Sequence, residues 1–269
     1  MRSRITLLLK VAYARAYVRI KGGNREPSWV VWEILLPLLA VASVAYTYMI
    51  LGAPREYIGF VVIGGAMISY WFNVIWGMGN ALYWEKETGN LETFMITPAP
   101  LEGLLLGMAL GGMFNTTLRA LSIVLVGTMA FKASFNPSGL PAAFLIFVLT
   151  MVALYSLGMC IASIFLMYSR SGWRAAEVLQ EPIMFLSGLY YPISIFPTLI
   201  QLLASSIPLT IGMDGIRRSL LLGYNLYDLR FHVISLSVMI PVLAYLAKRM
   251  LRYMELRAKV EGRLTLRWM

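Results

Sequence analysis

The chain has 269 residues, 59% hydrophobic and 13% charged, against about 25% charged in soluble domains, which excludes an ordinary soluble domain and reads as a polytopic membrane protein. Its net charge of +10 sits at the ends: residues 1–29 hold seven Lys/Arg against one Glu, residues 248–269 hold seven against two, and the rest is near neutral. Basic ends flanking an apolar body follow the positive-inside rule with both termini cytoplasmic in a multi-pass plasma-membrane protein, which argues against nucleic acid as a partner; one cysteine (Cys160) and one histidine (His232) exclude a disulfide framework and a Cys or His metal centre.

In chain order, the first apolar patch is ITLLLKVAYARAYVRIK at 5–21, broken by Lys10, Arg15 and Arg19. That spacing predicts an amphipathic helix in the cytoplasmic interface, its cations reaching out to headgroups, and not a cleavable signal peptide. A membrane span needs about 20 apolar residues. Ile34–Pro54 and Tyr57–Trp84 supply the first two; Gly103–Phe131, interrupted by Arg119, is the third. Ala133–Ser169 is the fourth, after a turn at SFNPSGLP.

Pro182–Met213 is a run of 32 uncharged residues, which as one helix would measure about 48 Å against about 30 Å of hydrocarbon. Gly188, Pro192, Pro197 and Pro208 interrupt it. The expectation is a fifth span at about residues 175–191 followed by a short re-entrant hairpin, with protein covering its irregular backbone because lipid cannot. Phe231–Ala247 makes the sixth span. The predicted fold is an all-α membrane protein of one domain over 1–269: an interfacial segment at 1–29, a six-span body at 30–247, and a basic cytoplasmic tail at 248–269.

Between the second and third spans lies YWEKETGNLETFMITPAP at 83–100, with Glu85, Lys86, Glu87 and Glu92 in an otherwise charge-poor body. Thr88 is placed to cap a short helix with an apolar face of Leu91, Phe94, Met95 and Ile96, ended by Pro98 and Pro100. So short a helix is marginal alone and needs a surface. Its acidic polar face suits a protein groove better than a membrane, whose surface helices favour Lys and Arg.

This stretch resembles the loop of ABC-2 type transporter permeases, of the form E-x-x-x-G-T-L-E-x-L-x-x-T-P: Glu85, Gly89, Leu91, Glu92, Thr97 and Pro98 match, and Asn90 and Phe94 depart. A second stretch, SGLYYPISIFPTLIQLLASSIPLTIGMDGIRRSLLLG at 187–223, is similar to the family's pattern near the fifth and sixth spans. Ser187, Gly188, Pro192, Pro197, Pro208, Leu209, Thr210, Asp214 and Arg217 fill it, with Ile211 where an aromatic is frequent. The resemblance covers essentially the whole chain. It implies a permease half of an exporter that pairs with a second copy or a paralogue and is driven by a separate ATP-binding subunit, which holds the ATP and Mg. Residues 83–100 would be the coupling helix in a groove of that ATPase. The hairpin at 187–212, including Tyr191, would shape the exit in the outer leaflet. Independently of any resemblance, no lysine here follows a glycine, so the chain lacks the phosphate-binding G-K-[ST] loop and does not itself hydrolyse ATP.

Other residues carry two readings each. Arg119, inside the third span, either lines the pathway or forms a structural pair, with a carboxylate such as Glu33 within its reach. Glu177 and Glu181, near Arg170 and Arg174, read as a charge cluster at the cytoplasmic gate in preference to a proton relay. Gly103, Gly107 and Gly111 permit close helix approach. Tyr70, Trp71, Phe72 and Trp76 either pack or contact an apolar cargo, and Tyr190 and Tyr191 suit the outer interface. The rival functions are a secondary transporter or channel without an ATPase, and an intramembrane enzyme. The few mid-span carboxylates count against the former, and the missing Ser/Lys, paired-Asp or paired-His arrangement against the latter.

Overall fold

The computed structural model describes the backbone of residues 2–54, 56–167 and 169–262, and their side chains except at 2, 3, 29 and 169–173. The side chain of Arg170, and residues 263–269 of the basic tail, lie outside that description. Every regular element among the described residues is a helix. In order come α1 (Arg2–Gly23), α2 (Pro27–Ile50), α3 (Glu56–Phe72) running into a π-helical segment (Asn73–Gly79), and the short helices α4 (Ala81–Glu87) and α5 (Asn90–Ile96). Then follow α6 (Leu101–Phe131), α7 (Leu140–Met167), α8 (Ser169–Leu186), α9 (Thr198–Ala204), α10 (Pro208–Leu222) and α11 (Arg230–Val260).

Proline and glycine set the boundaries. Pro27 and Pro208 occupy first-turn positions, where their missing N–H is no loss. Gly89, Gly188 and Gly223 leave helices through positive φ of 72°, 64° and 71°. Among the described residues, five helices are long and apolar enough to cross a membrane: α2, α3 through α4, α6, α7 and α11. The pair α9–α10, bent by 100°, makes a sixth if counted as one broken crossing.

The fifth predicted span is displaced. The helix there is α8, which begins at Ser169 and stops at Leu186, five residues short of the expected end at 191. It carries Arg170, Arg174, Glu177 and Glu181, too many charges for a lipid-filling helix.

The α3 run is the centre of the bundle: 83% of its apolar window is buried, against 11% for α2 and for α11. It touches α2, α6, α7 and α10. Packing is close because small residues face bulky ones: a Cβ on Gly65 would meet Val41 at 2.1 Å, on Gly127 Val62 at 2.5 Å, and on Gly158 Val74 at 2.7 Å. In a lipid solvent such contacts, not hydrophobic expulsion, hold helices together.

The α6 glycines seat α1. A Cβ on Gly103 would lie 3.0 Å from the Leu8 carbonyl, on Gly107 2.5 Å from that of Ala12, and on Gly111 2.9 Å from that of Ala16. This turns α1 opposite to the sequence expectation. Ile5, Leu9, Tyr13 and Tyr17 face outward, while Arg15 and Arg19 point into the protein, Arg15 pairing with Glu85. Their stems cover the glycine groove, so burial in protein replaces the headgroup contact. Gly107→Leu is expected to lift α1 from α6 at a cost of about 1–3 kcal/mol. Hydrogen–deuterium exchange of residues 8–19 should then quicken at least tenfold, and unchanged exchange would contradict the seat.

One end of the bundle gathers Arg4 of α1, the Pro98–Glu102 connection, and Leu251, Arg252 and Glu255 of α11 around one small cleft. The two ends of the described chain therefore lie on the same side as α5.

Candidate functional site

A cavity of about 860 Å³ opens between α2, the α3 run, α6 and α8. Its apolar wall comes from Trp32 and Leu36 of α2, Phe72 and Trp76 of the α3 run, Met184 of α8, and Tyr190 in the segment that follows α8. Of the four span-two aromatics, then, Phe72 and Trp76 reach the cavity, whereas Tyr70 and Trp71 are core residues, 3% and 0% exposed.

Polar groups cluster at one place on that wall. Arg119 and Glu33 form the ion pair the sequence allowed. Arg19 arrives beside them from α1, and burial, opposed by Glu33 and reinforced by Arg119, holds its guanidinium below its ordinary value. Glycine makes room for it: a Cβ on Gly77 would lie 2.7 Å from Arg19 Nη2. Asn73 Oδ1 accepts a hydrogen bond from the Tyr155 hydroxyl at 3.1 Å, and Trp76 Nε1 donates to Gln180 Oε1 at 2.6 Å, tying the π segment to α8. π turns inside helices recur at functional sites. Sequence reasoning missed Arg19, Asn73 and Gln180; a polar Asn73 and paired Gly77 and Gly79 inside an apolar run were the available signal. Glu177 and Glu181 are exposed on α8 and do not line the cavity; Glu181 accepts from Gln180 Nε2 at 3.2 Å.

The 83–100 stretch folds as two short helices set at an angle by Gly89. Thr88 closes α4 by donating to the Trp84 carbonyl at 2.9 Å and leaves α5 without a side-chain cap, so its expected N-capping role is corrected. The predicted contact residues divide. Glu87, Gly89, Glu92, Thr97 and Pro98 are exposed, as is Ile96 at 85%. Glu85, Lys86 and Leu91 are buried, with Phe94 and Met95 partly so, because they anchor the loop: Glu85 to Arg15, and Leu91, Phe94 and Met95 to the main core.

At the opposite end, α8 stops against α3. Gly188 turns the chain through positive φ, and a Cβ there would meet the Tyr191 carbonyl at 2.8 Å. The carbonyls freed by this break are held by Arg217, 4% exposed. It donates to the Gly188 carbonyl at 2.7 Å, the Leu189 carbonyl at 2.6 Å and the Phe60 carbonyl at 3.1 and 3.2 Å, and lies 3.4 Å over the Phe60 ring. Asp214, three residues earlier, serves a different contact, binding Arg218 and His232 at 2.8 Å each and so joining α10 to α11. Around the break, Ser187 is buried, Tyr191 donates to the Phe185 carbonyl at 3.0 Å, and Thr210 approaches the Leu186 carbonyl at 3.5 Å. Pro192 opens a single 3₁₀ turn, and Pro197 and Pro208 open α9 and α10.

α10 climbs antiparallel to α7: Gly212 packs on Thr150, and Ser219 donates to the Gly139 carbonyl at 2.6 Å. The hairpin thus begins inside the bundle and exits at the end away from α5.

A search of the curated proteins found no match. The sequence profile of the ABC-2 type transporter family matches residues 10–221, from the middle of α1 to the end of α10, and so takes in the cavity, the α4–α5 knob and the broken hairpin together. The chain therefore belongs to the ABC-2 type transporter family, as a multi-pass membrane permease.

Proposed function

We propose that this permease forms the pathway of an ATP-driven exporter, with a separate ATP-binding subunit seated on α5 and a second permease chain, identical or paralogous, set against α2 and α8. The observation that carries the reading is the α4–α5 knob: an acidic tip with exposed Ile96, rigidly rooted through buried Glu85 and Leu91. A surface of that kind transmits displacement when a partner grips the tip, because its root is packed core. The route inward is short. Glu85 holds Arg15, and one turn along α1 Arg19 stands in the cavity wall. Closure of the ATPases on ATP would move α5, α4 and α1 together and reshape the cavity. The exposed apolar residues Leu35 and Leu39 of α2 and Val178 and Phe185 of α8, on the same two helices as lining residues of the cavity, suit a second chain. In this arrangement both termini are cytoplasmic in the plasma membrane, and ATP and Mg stay on the partner.

The test is purification of the tagged chain from its native membrane under mild detergent. An ATP-binding subunit should accompany it, and ATP hydrolysis by that subunit should rise on assembly. A chain that transports without any such subunit would instead be a secondary transporter or channel.

A further inference from the structure

The cavity wall is not electrically balanced. Among the residues that line it are two arginines, Arg19 and Arg119, and one carboxylate, Glu33, which Arg119 already engages. Among the described residues the Arg19 guanidinium makes no hydrogen bond and no ion pair of its own; it is largely withdrawn from the surface and feels Glu33 only as a charge that Arg119 shares. Two cations withdrawn from water beside a single carboxylate leave room for one more anion. The rest of the wall is aromatic and aliphatic. The volume, about 860 Å³, is that of a site for a drug-sized molecule, which spans roughly 300–1,000 Å³.

We infer that the cargo is an amphiphile with one anionic group, a carboxylate, phosphate or sulfonate, held by Arg19 beside the Arg119–Glu33 pair, its apolar body lying against Trp32, Phe72 and Trp76. This inference rests on the export reading and narrows it to a substrate class. A guanidinium fork donates to two oxyanion oxygens at once, which favours such a group over a neutral polar head. Glu33 tunes the site: by holding Arg119 it leaves the wall one positive charge in excess, enough for one anion.

The full chain in phosphatidylcholine nanodiscs tests this with two probes, 11-(dansylamino)undecanoate and its uncharged methyl ester. Binding is read as energy transfer from Trp32 and Trp76 to the dansyl group, referred to the W32F/W76F variant. The carboxylate should bind at least tenfold more tightly than the ester. R19Q should abolish that preference, and R19K should keep most of it. E33Q frees Arg119 and should tighten carboxylate binding about three- to tenfold with the ester unchanged, a gain that a misfolded chain cannot mimic. Equal binding of the two probes, a preference surviving in R19Q, or no gain in E33Q would each overturn the assignment. These outcomes need no ATPase, so they separate from the export reading: a missing ATP-binding partner sinks that reading and leaves the charge preference standing.

Discussion

Replacing Arg217 by alanine is expected to lower the thermal midpoint of the detergent-solubilised permease by about 6–12 °C, following a loss of about 3 kcal/mol at 2–4 °C per kcal/mol. Three backbone carbonyls, from Phe60, Gly188 and Leu189, converge on this one guanidinium. In hydrocarbon an orphaned carbonyl has no water to turn to, and hydrogen bonds from a charged donor are worth about 1.5–3 kcal/mol each. Lysine should recover little, since a single ammonium cannot reach across carbonyls from two elements or lie flat on the Phe60 ring. Fluorescence-detected size-exclusion chromatography after heating measures the shift. A midpoint within 2 °C or so of wild type would mean that the break between α8 and the hairpin holds without its staple.

The second large effect concerns force transfer. Ile96→Asp and Glu92→Arg should each cut transport by the complex to about a tenth or less while leaving the permease's own melting unchanged within a degree or two. Both positions are exposed, so the free chain gives up little, on the order of 0.5 kcal/mol. In a docked groove an apolar anchor is worth about 2 kcal/mol or more, close to thirtyfold in affinity. Gly89→Pro reaches the same end by another route: its φ of 72° is closed to proline, so α5 must swing away from its present angle. Leu91→Ala should behave oppositely, destabilising the permease itself by about 2–5 kcal/mol, because Leu91 is root and not tip. Co-purification of the ATP-binding subunit with each variant, alongside melting curves, distinguishes the two classes. Wild-type retention of the subunit by Ile96→Asp would take α5 out of the contact.

Much of this was legible in the chain because hydropathy and proline act locally. The long apolar runs became membrane-length helices, Pro98 and Pro100 ended α5 before α6, and the run from Pro182 was broken as expected, though at Gly188 and not beyond residue 191. Even Glu33 and Arg119, far apart in sequence, could be matched, since an intramembrane cation has few carboxylates to choose from. What stayed hidden depends on distant partners. Nothing within 5–21 says which way Arg15 and Arg19 turn; the glycine groove of α6, some ninety residues on, decides it. Glu85 reads as one more acidic contact residue until Arg15 is seen to claim it. That α8 does not serve as a lipid-filling span follows from its four charges, weighed too lightly beside the apolar run that follows them.

The π segment at Asn73–Gly79 gives the central span two possible phases. A π turn houses one residue more than an α turn; letting it relax would rotate whatever follows by about 100°, the pitch of a single residue. Trp76 would swing out of the cavity lining and drop its bond to Gln180, and α4 would click round with it. Such a slip of one residue would change both the width of the cavity and the angle of the α4–α5 knob, and the helix would not have to unfold.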